Sequence, residues 1–205
     1  MLGFSKNKGL KVRQLGDPIL AAKAKRIENI DDDVRILSEQ MIQAMHQHRG
    51  IGLAGNQVGL PYRIVVIDID TPADENGNPL PLETVGEKEL LPKMPLTLIN
   101  PELTGYSAEL CDFEEGCLSV PKIYGNVVRP CRVVLKSQLL DGSSVELECG
   151  GLLARALQHE IDHLDGVVFV QKVADPEYQE IEPALNKMIR KNGQKNFKVR
   201  RLGNS

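Results

Sequence analysis

The sequence His159-Glu160-Ile161-Asp162-His163 is the most informative stretch of the chain. Two histidines four residues apart on a helix project from the same face, because an α-helix has 3.6 residues per turn. The pair could therefore bind one metal ion. Glu160 directly follows the first histidine, so its carboxylate would lie near the metal without binding it. That position suits a general base that removes a proton from water.

The residues around this stretch predict a helix from 152 to 165 that is closed by Gly166. An apolar stripe at helical spacing is formed by Leu153, Leu157, Ile161 and Leu164. A polar side is formed by Arg155, Gln158, Asp162 and Asp165. The two histidines align instead with Leu152 and Ala156, so we expect them to face protein rather than solvent. Buried imidazoles need partners, and a metal ion supplies one.

Length and composition indicate one ordinary globular domain. The chain has 205 residues, 41% of them hydrophobic and 26% charged, with a net charge of -3. We expect a single catalytic domain over 1–205, with a core at about 10–175 and a C-terminal helix and basic tail at about 176–205. The charge does not favour a DNA or membrane partner. The N-terminus lacks an apolar run and no segment is long enough to span a bilayer, so we expect a cytoplasmic location.

The remaining pattern predicts strands with few helices. Asp31 to Asp33 precede an amphipathic helix that ends near Gly50. Predicted strands are 62–69, 96–100, 131–140, 145–149 and 167–170. Between them, 71–95 reads as a solvated surface loop or a hairpin around Asn76-Gly77. Asp175-Pro176 and Pro183 mark C-terminal helix starts, with Gly193 as a stop. We predict an α+β fold with antiparallel or mixed sheets packed around the central helix of the metal motif.

Two histidines hold a metal incompletely, and a catalytic site needs a third protein ligand and an open position. In the three-histidine protease pattern that ligand would lie at Phe169, although Gly166 matches. A downstream glutamate, as in other metalloproteases, could be Glu177, Glu180 or Glu182. Cys117 is a better candidate, because Gly116 beside it allows close backbone approach and a thiolate binds metals strongly.

The cysteines leave one further alternative open. Cys111, Cys117, Cys131 and Cys149 are too sparse for a disulfide scaffold, so we expect thiols. Cys111 and Cys117 with the two histidines could form a closed structural zinc site. The gap between those cysteines exceeds usual zinc-finger spacing, and such a site gives Glu160 no role.

Three segments together resemble the peptide deformylase family. They are Gly50-Ile51-Gly52-Leu53-Ala54 with Gln57, then Glu115-Gly116-Cys117-Leu118-Ser119, and finally His159-Glu160-Ile161-Asp162-His163. Their order and separation match the family's three motifs over roughly residues 10–175, which is far more specific than any one motif. The family usually has a second alanine where this chain has Gly55, and we expect that change to loosen the turn.

The resemblance implies an activity and roles for each residue. Peptide deformylases hydrolyse the N-formyl group from the initiator methionine of nascent proteins and release formate. Cys117, His159 and His163 would bind the metal, and Glu160 would act as general base and then acid. Gln57 and the backbone N–H of Leu118 would stabilise the oxyanion, and Ile51 and Gly52 would pair with the substrate backbone.

The choice of metal depends on whether ligand chemistry or the family resemblance is used. Ligand chemistry alone favours Zn(II), whereas the resemblance favours Fe(II), with nickel, cobalt or zinc tolerated. The basic tail, which contains Lys195, Lys198, Arg200 and Arg201, leads us to expect a weak contact with the ribosome.

Overall fold

The computed structural model describes residues 9–192 and Val199. In chain order its helices are α1 (Asp32–Gln47), α2 (Val85–Leu90), α3 (Gly151–Leu164) and α4 (Asp175–Lys191). Its strands are β1 (Gly52–Ala54), β2 (Ile64–Ile67), β3 (Leu96–Tyr106), β4 (Leu110–Cys117), β5 (Val120–Pro130), β6 (Val133–Leu139) and β7 (Ser144–Cys149). Short 3-10 helices cover Pro18–Ala21, Gly55–Val58, Leu91–Lys93 and Phe169–Gln171. The predicted α+β class is confirmed.

Five strands form one antiparallel sheet in the order β1-β2-β3-β6-β7. All four residues of β2 are buried, as expected of a β-branched strand covered on both faces. Val65 and Ile67 pack in the hydrophobic cluster that contains α3, whereas Ile64 and Val66 pack with α1. Since side chains alternate along a strand, α1 and α3 cover opposite faces of the sheet. β1 lies at one edge of this sheet.

The other two strands, β4 and β5, form a separate antiparallel hairpin. Its pairing runs from Leu110 opposite Pro130 to Gly116 opposite Tyr124, and the register shifts between Gly116 and Cys117. Sequence patterning did not predict this hairpin. Val120, Ile123 and Val127 of β5 pack in a cluster with Leu185 and Ile189 of α4, so α4 covers one face of the hairpin.

Helix α1 forms as its sequence indicates. The carboxylate of Asp31 caps the helix by accepting from the Val34 backbone N–H at 3.1 Å. The residues predicted for its apolar face are buried, with Leu37 and Met41 fully so. The helix ends at Gln47, close to the predicted end at Gly50.

Several local predictions are wrong. The predicted strand 167–170 is instead a 3-10 helix over Phe169–Gln171, because the chain turns there to bury Phe169. Pro183 does not start a helix but lies exposed inside α4. The helix continues because Leu185 and Ile189 beyond the proline pack on the hairpin.

The segment 71–95 is only partly a loop. A turn at Asn76-Gly77 is flanked by a bridge between Ala73 and Pro79, as predicted. After it the chain forms α2, whose Leu90 is fully buried in the core. The residues 84–93 are therefore structural rather than a solvated insertion.

The expectation that all four cysteines are thiols is also wrong. Cys111 and Cys131 form a disulfide, which joins β4 to the residue that follows β5. Cys117 and Cys149 are free. The two bonded cysteines are brought together by the hairpin, which sequence spacing did not indicate.

Within residues 9–192, no helix combines the length and apolarity needed to cross a bilayer. Gly193 and the basic residues Lys195, Lys198, Arg200 and Arg201 lie outside the described part of the chain.

Candidate metal centre and active site

The two histidines and Cys117 come together from two different elements. His159 and His163 lie four residues apart on α3, and Cys117 is the last residue of β4. One side-chain ligand atom of each lies within 4.8 Å of the other two. Cys117 Sγ is 3.2 Å from His163 Nε2. Both histidines are buried, as the helical wheel predicts. A thiol and two imidazoles at this spacing fit a divalent transition-metal ion.

The turn after β4 positions Cys117 beside the two histidines. The ring of Tyr124 lies against Gly116, where a Cβ would be 2.7 Å from Tyr124 Cε1, so only glycine fits without displacing that ring. The backbone N–H of Ser119 donates to Cys117 Sγ at 3.4 Å. Leu118 lies between Cys117 and Ser119 in the chain, and its side chain packs against Gly50. The hairpin turn therefore brings the Leu118 backbone next to the candidate ligand.

Gln57 is held so that its amide NH2 points at the thiol. Its Oε1 accepts from the backbone N–H of Ala54 at 2.7 Å. Its Nε2 lies 3.4 Å from Cys117 Sγ and 3.3 Å from Ser119 Oγ. Gln57 is 1% exposed, which excludes a solvated loop amide. The residue is a fixed donor beside the candidate metal ligands.

Gly55 makes the turn before Gln57 tight rather than loose. A Cβ there would lie 2.5 Å from the Tyr62 carbonyl oxygen and 2.9 Å from that of Leu60. The Leu60 N–H also donates to the Gly55 carbonyl at 2.9 Å. An alanine would therefore force backbone to move, so the expectation of a loosened turn is wrong.

Glu160 points its carboxylate into the space beside the histidines. The residue is 5% exposed, and its Oε2 is buried without a hydrogen-bond partner among the described atoms. Burial raises the pKa of Glu160 to about 7, although the charge of His159 acts in the opposite direction. A carboxyl group with a pKa near neutrality can both accept and donate a proton. The unpartnered Oε2 leaves an acceptor for a water molecule.

A buried ion-pair network fixes the ring of His159. Glu115 Oε2 lies 2.9 Å from His159 Nδ1, which leaves Nε2 directed at the site. Arg129 donates to both oxygens of the same carboxylate, at 2.6 and 2.9 Å. Burial alone would raise the pKa of Glu115. The hydrogen bonds from His159 and Arg129 outweigh it and hold the pKa far below its usual range.

A groove of about 600 Å³ opens onto these residues. Ile51 lines it with a side chain that is 45% exposed, and Gly52 lies beside it on the edge strand β1. The Ile51 carbonyl accepts from the Asp68 N–H at 2.9 Å, so this carbonyl is directed at the sheet. A Cβ on Gly52 would lie 2.5 Å from Glu160 Oε1.

The competing ligand sets do not come together. Phe169, at the position of a third histidine, stacks on His159 with ring centroids 6.0 Å apart. Glu177 accepts from the backbone N–H of Asn126, at 3.0 Å, and lies outside the ligand cluster. Cys111 is bonded to Cys131, which removes the four-ligand zinc site. In the described residues, Cys117, His159 and His163 are the group of this type that could hold a metal.

Sequence analysis missed the residues that surround the ligands. Arg155 and Gln158 belong to the predicted polar side of α3, but they are only 9% and 5% exposed. Arg129 was not singled out. The alternation of Ile123, Val127 and Arg129 along β5 would have indicated that Arg129 points inward.

A His-Glu-Xaa-Xaa-His helix with a cysteine close to both histidines and a buried carboxylate beside them is an arrangement typical of metal-dependent hydrolases. Comparisons specify the family. Residues 10–179 match the family model described as polypeptide deformylase. A peptide deformylase of Picosynechococcus sp. is 39% identical over 94% of both chains. Peptide deformylase 2 of Gloeobacter violaceus is 46% identical over 80% of this chain and 79% of that one.

Solved structures agree with the sequence relatives. The peptide deformylase of Synechococcus elongatus, crystallised with actinonin, superposes with a TM-score of 0.73 at 35% identity and covers 98% of both chains. This chain belongs to the polypeptide deformylase family. It is a hydrolase that acts on the formyl amide of nascent peptides.

Proposed function

We propose that this chain hydrolyses the formyl amide of N-formylmethionyl peptides at a divalent metal held by Cys117, His159 and His163. The observation that carries the proposal is the position of the buried Glu160 carboxylate beside these three residues. When bound, the metal would lower the pKa of water and polarise the formyl oxygen. Glu160 would accept the proton of the attacking water and then deliver it to the methionine nitrogen as formate leaves.

Two donors would stabilise the negative charge that develops on the formyl oxygen. Gln57 Nε2 is aimed at the thiol of Cys117 by the hydrogen bond from Ala54 to its carbonyl. The Leu118 backbone N–H would be the second donor, since it directly follows Cys117 in the hairpin turn. Donors that are fixed before the reaction cost no reorganisation when the charge develops.

The substrate backbone would add to the edge of the sheet. β1 lies at the edge and Gly52 belongs to it, so an extended peptide in the groove could pair with the backbone near Ile51 and Gly52. Because the Ile51 carbonyl already accepts from Asp68, we expect this pairing to use other backbone groups of the two residues.

For the metal we propose Fe(II), with Zn(II), Ni(II) or Co(II) as functional substitutes. One thiolate and two imidazoles bind all four ions, so the ligand set alone does not select among them. We also propose that residues 1–205 act as one catalytic domain in the cytoplasm, with its core at about 10–175. The basic tail would contact the ribosome weakly.

Anaerobic purification, metal analysis and a formate assay on formyl-Met-Ala-Ser test metal and reaction together. We expect one metal ion per chain and stoichiometric formate release. Cys117→Ser should lose metal and activity, whereas Cys111→Ser should retain both. Equal loss in the two variants would contradict the ligand set. Cleavage of internal peptide bonds without formate release would indicate a metalloprotease instead.

A further inference from the structure

The proposed metal ligands lie on two elements, so some contact must hold hairpin β4–β5 at a fixed distance from α3. Arg155 is one source of such contact. Arg129 of β5 also donates to Asp162 of α3 at 2.6 Å, and Gln158 of α3 donates to the Pro130 carbonyl at 2.9 Å. Arg155 lies on α3 four residues before His159, and its side chain is 10% exposed. Its Nη2 donates to the Cys111 carbonyl of β4 at 2.7 Å, and its Nη1 donates to the Val127 carbonyl of β5 at 2.8 Å. One side chain of the helix therefore binds both strands of the hairpin.

The same guanidinium also reaches the carboxylate that orients His159. Arg155 Nη1 lies 3.0 Å from Glu115 Oε1, and Glu115 Oε2 lies 2.9 Å from His159 Nδ1. Arg129 contacts this carboxylate from within the hairpin. Arg155 is the arginine that contacts it from α3, the helix of the histidines. The contacts of Arg155 fix the Glu115 carboxylate relative to the His159 imidazole, from which that carboxylate accepts a hydrogen bond.

The part of β4 that accepts a hydrogen bond from Arg155 is itself held by a covalent bond. Cys111, whose carbonyl accepts from Arg155, is joined by a disulfide to Cys131 beyond the end of β5. This bond closes the open end of the hairpin, at the opposite end from Cys117. Strands β4 and β5 are thereby joined at both ends of the hairpin, and Arg155 connects the hairpin to α3.

We propose that Arg155 is a positioning residue of the metal centre, which acts through Glu115 and the hairpin backbone and does not touch the metal. The inference rests on the proposed function, since it takes Cys117, His159 and His163 as the ligands. Loss of Arg155 keeps all three ligands but removes the bonds to the Cys111 and Val127 carbonyls and to Glu115, so the hairpin is less firmly fixed relative to α3. The consequence is faster metal release and slower turnover, with substrate binding retained.

The test uses Arg155→Met, which keeps the length and apolar stem of the side chain but removes every donor. In the nickel-loaded protein we expect release to a chelator to accelerate about tenfold, since outer-shell partners change metal affinity or activity by about 10- to 100-fold. We expect kcat on formyl-Met-Ala-Ser to fall about tenfold, while KM changes less than twofold. Arg155→Lys keeps the positive charge but has fewer donors, so the rate of metal release from this variant should lie between those of the wild type and Arg155→Met.

Two controls separate positioning from stability. Arg132→Met removes another arginine near the disulfide, one whose exposed pair with Glu109 lies at 3.6 Å, and it should release metal at the wild-type rate. Leu37→Ala removes core volume from α1, on the opposite face of the sheet. It should lower the melting temperature without accelerating release at 25 °C. If Leu37→Ala accelerates release as much as Arg155→Met, the effect is global and the inference is overturned.

Further outcomes are equally decisive. If Arg155→Met does not accumulate as a folded protein, Arg155→Gln is measured in the same way, with the same expected acceleration of release. Arg155 also lines the groove, so a wild-type release rate in the variant, or a rise in KM alone, would show that it acts only on the substrate and would overturn the inference. Metal binding that survives Cys117→Ser would refute the proposed ligand set itself, and this result is visible before any Arg155 variant is made.

Discussion

Gly52 lies directly against Glu160, and a Cβ on Gly52 would be 2.5 Å from the Oε1 of that carboxylate. The edge strand of the sheet and the catalytic helix are therefore in contact at the group proposed to transfer the proton. Glycine at this position allows the carboxylate to lie where the substrate strand would end. The contact connects the first and third motifs, which are more than 100 residues apart in sequence.

Gly52→Ala should therefore impair catalysis more than folding. The added methyl group displaces the Glu160 carboxylate, and a misplacement of about 1 Å can reduce rate about 100-fold. We expect kcat for formate release to fall by about that factor, with metal content unchanged. Gly9→Ala is the matched control, because a Cβ at Gly9 meets no atom within 4 Å. Comparable loss in both variants would argue against a specific contact.

Glu160→Ala should retain the metal and lose the reaction. The substitution removes the proposed proton acceptor but none of the three ligands. Loss of general acid–base catalysis typically costs about 100- to 10,000-fold in rate. Metal content by elemental analysis and formate release on formyl-Met-Ala-Ser measure the two effects separately. Normal turnover by this variant would refute the mechanism.

Glu160→Gln should stabilise the metal-free protein at alkaline pH. Burial raises the pKa of Glu160 from 4.5 to about 7, so the folded state disfavours the charged form. This destabilisation begins above the unfolded pKa and is complete above the folded one. We therefore expect Glu160→Gln to gain about 3 kcal/mol in free energy of unfolding at pH 8 and almost nothing at pH 4. Urea unfolding at both values measures this, and an equal gain at both would contradict it.

Removing the disulfide should affect stability more than metal binding. Cys111 and Cys131 are separated by 20 residues, and a crosslink that closes such a loop contributes about 3 kcal/mol to the free energy of unfolding. The double variant Cys111→Ser/Cys131→Ser should lose about that amount in urea unfolding. We expect it to bind one metal ion per chain, because Cys117 is unaltered. Loss of the metal would place the bonded cysteines in the metal site.

Local sequence was sufficient for the features that depend on neighbours along the chain. The four-residue spacing of His159 and His163 places them on one face of a helix whatever surrounds it. The cap at Asp31 and the apolar face with Leu37 likewise follow from helix geometry, and both are found in α1. The proposed third ligand, Cys117, is favoured by Gly116 beside it, but only the three motifs taken jointly make that assignment specific, since a lone cysteine has no distinctive local pattern.

Tertiary structure decided the features that depend on distant partners. Arg155 lies on the polar side of the helical wheel, yet it is buried because hairpin β4–β5 packs over it and supplies two carbonyls and Glu115. The disulfide of Cys111 with Cys131 depends on the same hairpin. The periodicity of one segment indicates which of its faces is apolar. A buried charge, however, is stable only when another segment supplies its partner. The sequence by itself therefore determined the candidate ligands and their helix, and packing decided what holds them together.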